Sequence, residues 1–129
     1  DVAESVERLT RAPQRPLRSA LLDQRNLAGI GNVYAAELCF VARIHPERPV
    51  GEIEDLPGLV ERAHTLLVLN ADRAKRITTA DPRAPLWVYG RAGLPCRRCG
   101  TRVRTASSGD VRGQERVSYR CPSCQPDAR

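Results

Sequence analysis

Asn26-Leu27-Ala28-Gly29-Ile30-Gly31-Asn32 is a glycine-rich turn between two segments that both read as helix. Ahead of it, Pro16 can open a helix running to about Arg25, since a first helical turn has no use for the N–H that proline lacks. Behind it, a helix is predicted from about Asn32 to Arg43, ended by His45-Pro46. Its apolar residues Val33, Tyr34, Leu38, Phe40 and Val41 cover more than one face, which marks a central, buried helix. Gly29-x-Gly31-x-x-Ala35 matches the dinucleotide-binding fingerprint by letter, but that fingerprint needs a preceding strand, and Arg18–Asp23 reads as helix. Part of the physics carries over. Glycines let the backbone approach a phosphate, and the helix that follows points free N–H groups and its positive dipole end at it. Asn32 can cap that helix or donate to a phosphate. Taken alone, the turn reads either as ordinary helix–turn–helix geometry or as a phosphate site.

Working outward, residues 2–10 form a short amphipathic segment, residues 45–55 a loop, and Leu56 to about Arg73 a fourth helix. Pro82 and Pro85 mark residues 78–86 as a linker, and Trp87-Val88-Tyr89 reads as a short extended piece. Then come two knuckles, Cys96-Arg97-Arg98-Cys99 and Cys121-Pro122-Ser123-Cys124, separated by 21 residues. Paired C-x-x-C knuckles flanking a hairpin place four thiolates tetrahedrally around Zn²⁺, which can supply the folding free energy that so small a core lacks. The competing reading is a pair of disulfides or redox dithiols. Between the knuckles, Thr101–Thr105 and Glu115–Arg120 alternate as strands, with Ala106–Gln114 as the connecting loop and Gly109 and Gly113 as its turn residues. Period two puts Arg102 and Arg104 on one face of the first strand, and Arg116, Ser118 and Arg120 on one face of the second, opposite Val117 and Tyr119. Such a ribbon can lie in a DNA groove, or can be a solvated basic surface. The fold class is therefore mainly α: a helical domain over 1–86 followed by a four-cysteine β-hairpin finger over 87–129.

Charge agrees with that division. The net +6 sits mostly in residues 96–129, which hold eight arginines against three acids. A concentrated basic module suits a polyanion, most often nucleic acid. Lys75 is the sole lysine, an arginine bias that fits either function or a GC-rich genome. At 41% hydrophobic and 28% charged, the chain reads as soluble, globular and cytoplasmic; no apolar run approaches the ~20 residues of a membrane span, and no signal peptide is visible. With no methionine, it is expected to be processed or excised from something longer. Cys39 is expected in the core rather than on a metal, His45 and His64 as structural or surface groups, Trp87 as a packing anchor, and Glu37 as a satisfied buried acid bracing the glycine turn.

Leu21-Leu22-Asp23-Gln24-Arg25, Ala28 through Ala35, and Glu37 together resemble the helix–two-turn–helix motif of the Fpg/Nei DNA glycosylases, formamidopyrimidine-DNA glycosylase and endonuclease VIII. Ile44-His45-Pro46, then Trp87-Val88-Tyr89-Gly90-Arg91-Ala92-Gly93 leading into Cys96, and Cys121-Pro122-x-Cys124-Gln125 continue the likeness, so that it covers about residues 16–125. The resemblance implies roles. Asn32, beside Gly31, looks like the asparagine that holds the phosphates flanking a lesion. Arg18 matches a basic phosphate contact. Arg116, five residues before Cys121, looks like the zinc-finger arginine that grips the damaged nucleotide's phosphates and has been assigned a proton-donor role in δ-elimination. The finger loop is longer here than the family's usual hairpin, which leaves the register around Arg116 open. The glycine-free segment Asn70–Leu86 and its Thr78-Thr79 look more like the endonuclease VIII branch.

The family's implied function is that of a bifunctional glycosylase and AP lyase (β,δ-elimination) of base excision repair, acting on duplex DNA that carries an oxidised base or an abasic site. A bacterial, nucleoid-associated monomer is the expectation. A non-enzymatic zinc-ribbon module is the competing class, but a ribbon alone does not explain the Gly-Ile-Gly-Asn turn. In this family an N-terminal proline amine is the nucleophile and a following glutamate the general acid, on a separate N-terminal domain. The chain begins Asp1-Val2-Ala3-Glu4 and is expected to be the DNA-binding C-terminal half of such an enzyme, inactive alone. Covalent catalysis through an imine needs a largely unprotonated amine placed at the sugar carbon. Borohydride trapping on an abasic-site duplex should therefore give no adduct with this chain; an adduct forming at glycosylase-like rates would reveal another nucleophile.

Overall fold

A computed structural model describes residues 1–73, 75–109 and 115–127, without the side chains of Ser108, Glu115 and Arg116. Four helices come first. In α1 (Val2–Thr10), Asp1 caps the helix by accepting from Ala3 N at 2.9 Å, and Arg8 and Arg11 reach back one turn to Glu4 and Glu7. Helix α2 (Leu17–Leu22) starts behind Pro16 as its sequence predicts, but stops three residues before Arg25. The reason is local: Asp23 turns extended, and its carboxylate takes Arg25 N at 3.0 Å, offering the backbone an alternative to the next helical bond.

Helix α3 (Asn32–Val41) ends slightly earlier than predicted. Arg43 adopts a left-handed φ of 61°, and Ile44 N bonds back to Cys39 O at 2.9 Å while Arg43 N bonds to Phe40 O, a Schellman closure. The loop beyond contains one 3-10 turn, Val50–Glu52. Gly51 is required there: its N–H donates to Pro13 O at 2.8 Å, and a Cβ would stand 2.9 Å from that of Pro13. Helix α4 (Leu56–Asn70) is capped by Asp55 on Gly58 N and ends at Asn70 rather than Arg73.

Two antiparallel strands follow, β1 (Arg104–Gly109) and β2 (Glu115–Arg120), with Arg104 opposite Arg120 and Ser108 opposite Arg116. The second strand has its predicted bounds. The first does not: it begins at Arg104 and takes in Ala106–Gly109, which the sequence alone places in the loop. Arg102 lies outside the ribbon because it is bridged to Pro95, with Val103 N and O bonded to Leu94 and Gly93. Gly113 and the rest of 110–114 lie outside the described residues.

Two apolar clusters meet on α3. Tyr34, Ala35, Leu38 and Cys39 pack with Leu9, Leu17, Leu21, Leu27, Ile30, Leu59 and Val60. Ala36 and Phe40, one turn apart, face the other way and pack with Val88, Val103 and three of the cysteines. This is why α3 reads apolar all round: it has no solvent face to spend polar residues on. Among the described residues, no helix is long and apolar enough to cross a membrane.

Candidate nucleic-acid interface and metal centre

The glycine turn is built by Gln24. Its Oε1 accepts from Gly29 N at 2.8 Å and its Nε2 donates to Ile30 O at 2.8 Å, bracing the turn from inside. Gly29 is left-handed (φ 90°), whereas Gly31 is extended and exposed, with no heavy atom within 4 Å of where a Cβ would stand. Its openness, not its dihedral angles, leaves the backbone free for a close approach. Gly31 is the N-cap of α3, so Asn32 is the first helical residue and not the cap that its sequence position allowed.

Asn32 instead holds three elements together. Its Oδ1 accepts from Arg18 Nη2 at 2.8 Å, and its Nδ2 donates to Val117 O on β2 at 3.1 Å. Arg18 is 3% exposed, lodged beneath Asn32 on α2. Gly31, Asn32 and Arg18 are thus brought together, with β2 against them. The backbone of Arg116 lies next to Val117, but its side chain is outside the described residues.

The four cysteines converge. The Sγ atoms of Cys96, Cys99, Cys121 and Cys124 all lie within 4.8 Å of one another, with Cys99 and Cys121 at 3.4 Å, and only Cys99 is exposed. Tetrahedral ligands at ~2.3 Å from zinc stand about 3.8 Å apart, so one shared cage fits better than two separate disulfides. Arg98 N and Cys124 N each point at a knuckle sulfur at 3.4 Å. Hydrogen bonding from Thr101 above all, with Cys121 assisting, draws the Cys99 thiol down to about 6, while burial and its thiol neighbours push Cys124 up to about 12. The arrangement can bind a divalent metal once its protons are displaced.

The cysteine module is docked along the whole of α3. At one end is Asn32 on Val117. In the middle, Glu37 is fully buried and accepts from Trp87 N at 2.6 Å, Val88 N at 2.9 Å and Tyr89 N at 3.0 Å, and from the Thr78 hydroxyl. At the far end Gln125, also fully buried, donates to Ile44 O at 3.0 Å and accepts from Cys121 N at 2.9 Å. Glu37 is therefore a satisfied buried acid, but it braces the entry to the cysteine module and not the glycine turn. The same contacts explain why Trp87-Val88-Tyr89 forms a turn rather than an extended piece: three successive N–H groups converge on one carboxylate. Trp87 stacks on Phe40 at 5.3 Å, and the Arg98 guanidinium lies over Phe40 at 4.3 Å. Sequence reasoning missed Gln125 and Arg98. A glutamine or an arginine beside a knuckle carries no local signal of a partner on a distant helix.

The ribbon's arginine face needs correction. Ser118 is 7% exposed and bonded to Ala106 O, and Arg120 reaches Gln125 O and Asp127, so that face is partly spent internally. Arg104 remains exposed. Cys39 is fully buried with its thiol pushed up to about 12 by desolvation, as suits a core residue. His45 accepts from Glu47 N and faces Asp127, and burial lowers its pKa. Among the described residues, neither His45 nor His64 joins a metal-binding group.

Residues 1–74 match the formamidopyrimidine-DNA glycosylase H2TH domain. The DNA-(apurinic or apyrimidinic site) lyase Nei2 of Mycolicibacterium smegmatis is 53% identical over 123 residues, 94% of this chain and 47% of that protein. Endonuclease 8 2 of Mycobacterium bovis is 50% identical over 127 residues, 97% of this chain and 48% of its own length. A solved Lactococcus lactis Fpg in complex with abasic-site DNA superposes with a TM-score of 0.71 at 28% identity, over 98% of this chain and 48% of that one. The chain spans about half the length of the curated relatives it matches.

Proposed function

Because the chain belongs to the formamidopyrimidine-DNA glycosylase H2TH family, we propose that it is the DNA-binding C-terminal half of a bifunctional DNA glycosylase and AP lyase of the endonuclease VIII branch. Its partner is damaged duplex DNA, and in the full-length protein its own N-terminal catalytic domain, acting as a monomer. Residues 1–86 and 87–129 are its two DNA-binding parts. The observation that carries this reading is Asn32, placed at an open helix N-terminus and tied at once to Arg18 and to β2. That arrangement sets the exposed Gly31 backbone and the strand bearing Arg116 against one another, which suits a phosphate run gripped from two sides. The Lactococcus Fpg complex with abasic-site DNA supports the partner.

Cys96, Cys99, Cys121 and Cys124 would hold one structural Zn²⁺, which supplies fold stability to the module when bound. Gly31, Asn32, Arg18 and Arg116 would contact or support phosphates, and Arg116 would donate a proton in δ-elimination. Phosphate contacts give affinity with little base information, as a repair enzyme requires. Binding to a labelled abasic-site duplex, followed by anisotropy, should weaken steeply as salt rises. Asn32→Ala and Arg116→Ala should each weaken it roughly tenfold or more, the scale of a charge-assisted hydrogen bond. Binding indifferent to salt contradicts the reading.

For the lesion, we favour oxidised pyrimidines. The segment after α4 is short and glycine-free, and is pinned by Asn70 to Ile77 and by Thr78 to Glu37, so it has little freedom to close over a large flipped base. The full-length enzyme should excise 5-hydroxyuracil or thymine glycol faster than 8-oxoguanine; the reverse order overturns this preference.

A further inference from the structure

Arg76 stands between two fixed points. Ile77 N donates to Asn70 Oδ1 at 2.8 Å, and Ile77 O accepts from Asn70 Nδ2 at 3.0 Å. Thr78 gives its hydroxyl to Glu37 and its N–H to Pro85 O at 2.8 Å. The chain therefore passes residue 76 at a set place, and the guanidinium carbon lies 5.8 Å from the centre of the Tyr34 ring. Tyr34 is in the first turn of α3, two positions after Asn32. A guanidinium laid over a ring keeps its N–H edge directed outward, ready for a planar or tetrahedral anion.

Charge pairing separates Arg76 from five arginines of this part of the chain, and its seat over a ring separates it from Arg43, Arg62 and Arg73. Arg8, Arg11, Arg15, Arg25 and Arg83 each face a carboxylate, namely Glu4, Glu7, Asp23, Asp23 and Asp81. The arginine-rich hollow beside α1, lined by Arg8, Arg11, Arg15 and Arg25, is thereby mostly neutralised, because Glu4, Glu7 and Asp23 face those arginines. Arg76 is exposed, and no carboxylate among the described residues pairs with it. A cation that is held in place and unneutralised can bind an anion with little further ordering.

We propose that Arg76 is an additional phosphate-contacting residue of the DNA site, taking a backbone phosphate on the Tyr34 side of α3. This rests on the DNA-binding reading above. It adds a contact from the segment after α4, which is otherwise assigned only a passive part.

The test is the salt dependence of binding. The metal-replete chain is titrated into a fluorescein-labelled duplex carrying a tetrahydrofuran abasic-site analogue, between about 50 and about 200 mM KCl. Each phosphate contact contributes about 0.9 to the slope of log K against log salt. Arg76→Gln should make the slope shallower by about that amount, and Arg76→Lys should restore it. Arg11→Gln removes the same charge from α1 and should leave the slope unchanged. A slope unaltered in Arg76→Gln, or altered equally by Arg11→Gln, overturns the assignment while leaving DNA binding intact. An unsubstituted chain that fails to bind in a salt-dependent way overturns the DNA-binding reading itself.

Discussion

Cys121→Ser is expected to yield a chain that retains no stoichiometric zinc and whose cysteine module has lost its amide protection against hydrogen exchange. Structural zinc in small tetrathiolate modules is worth about 10–16 kcal/mol in apparent terms. Apart from its docking on α3, little else holds this module closed. Three of the seven buried residues in its cluster are the cysteines Cys96, Cys121 and Cys124. The two-stranded ribbon is itself marginal, since two strands alone rarely persist in water. The first cluster, formed by α1, α2, α4 and one face of α3, needs no metal and should keep its helical signal. Retention should also depend on pH with a definite sign. Burial holds Cys124 near 12 and the Cys121 thiol is raised too, so metal entry displaces protons. Lower pH therefore favours the metal-free form, and chelator competition should strip zinc more readily at about pH 6 than at about pH 8. A metal-free chain with a fully protected finger would remove the basis for the zinc assignment.

Glu37→Ala should destabilise the fold by about 3–5 kcal/mol, measured by urea or thermal unfolding of the zinc-loaded chain. Three backbone N–H groups lose their acceptor at a fully buried side chain, and the Thr78 hydroxyl keeps only Pro85 O, at 3.3 Å. An abandoned buried donor costs about 1–3 kcal/mol. For a domain of this size, such a loss corresponds to a fall in Tm of roughly 10 °C or more. Glu37→Gln should recover only part of it. Each carboxylate oxygen serves two donors, so the amide NH₂ of glutamine must face two of them with no lone pair to offer. A loss below about 1 kcal/mol for the alanine variant would mean that water enters and satisfies these groups.

What the sequence made legible was mostly local. The start of α2 followed from Pro16, and the centrality of α3 from its all-round apolarity. The four-sulfur cage followed from the knuckle spacing. Misplaced features trace to side chains that compete with the backbone or act across long separations. The sequence predicts α2 to about Arg25; the Asp23 carboxylate ends it at Leu22 by taking Arg25 N. Strand β1 was predicted to begin too early, since the Pro95–Arg102 bridge obeys the same alternation as a strand. Glu37 was recognisable as a buried acid from its place on α3, but its acceptor role depends on residues 50 to 52 positions away. No periodicity reports a partner at that distance. Asn32 shows the same limit: its place at the turn was readable, but its bond to Val117, 85 residues on, was not.

The order in which α3 acquires its partners bears on how the chain is made. The helix leaves the ribosome before its partners, and it waits for residues 87–89 to donate to Glu37, for Val117 to engage Asn32, and for Gln125 to cover Ile44. Until then the Ala36 and Phe40 side of the helix is an uncovered apolar strip on a nascent chain. Closure by such distant segments is slow, and an exposed strip of this kind invites association with other chains. Sheathing of α3 thus comes only after residue 125 has been made, and until then the strip is open to chaperones and proteases.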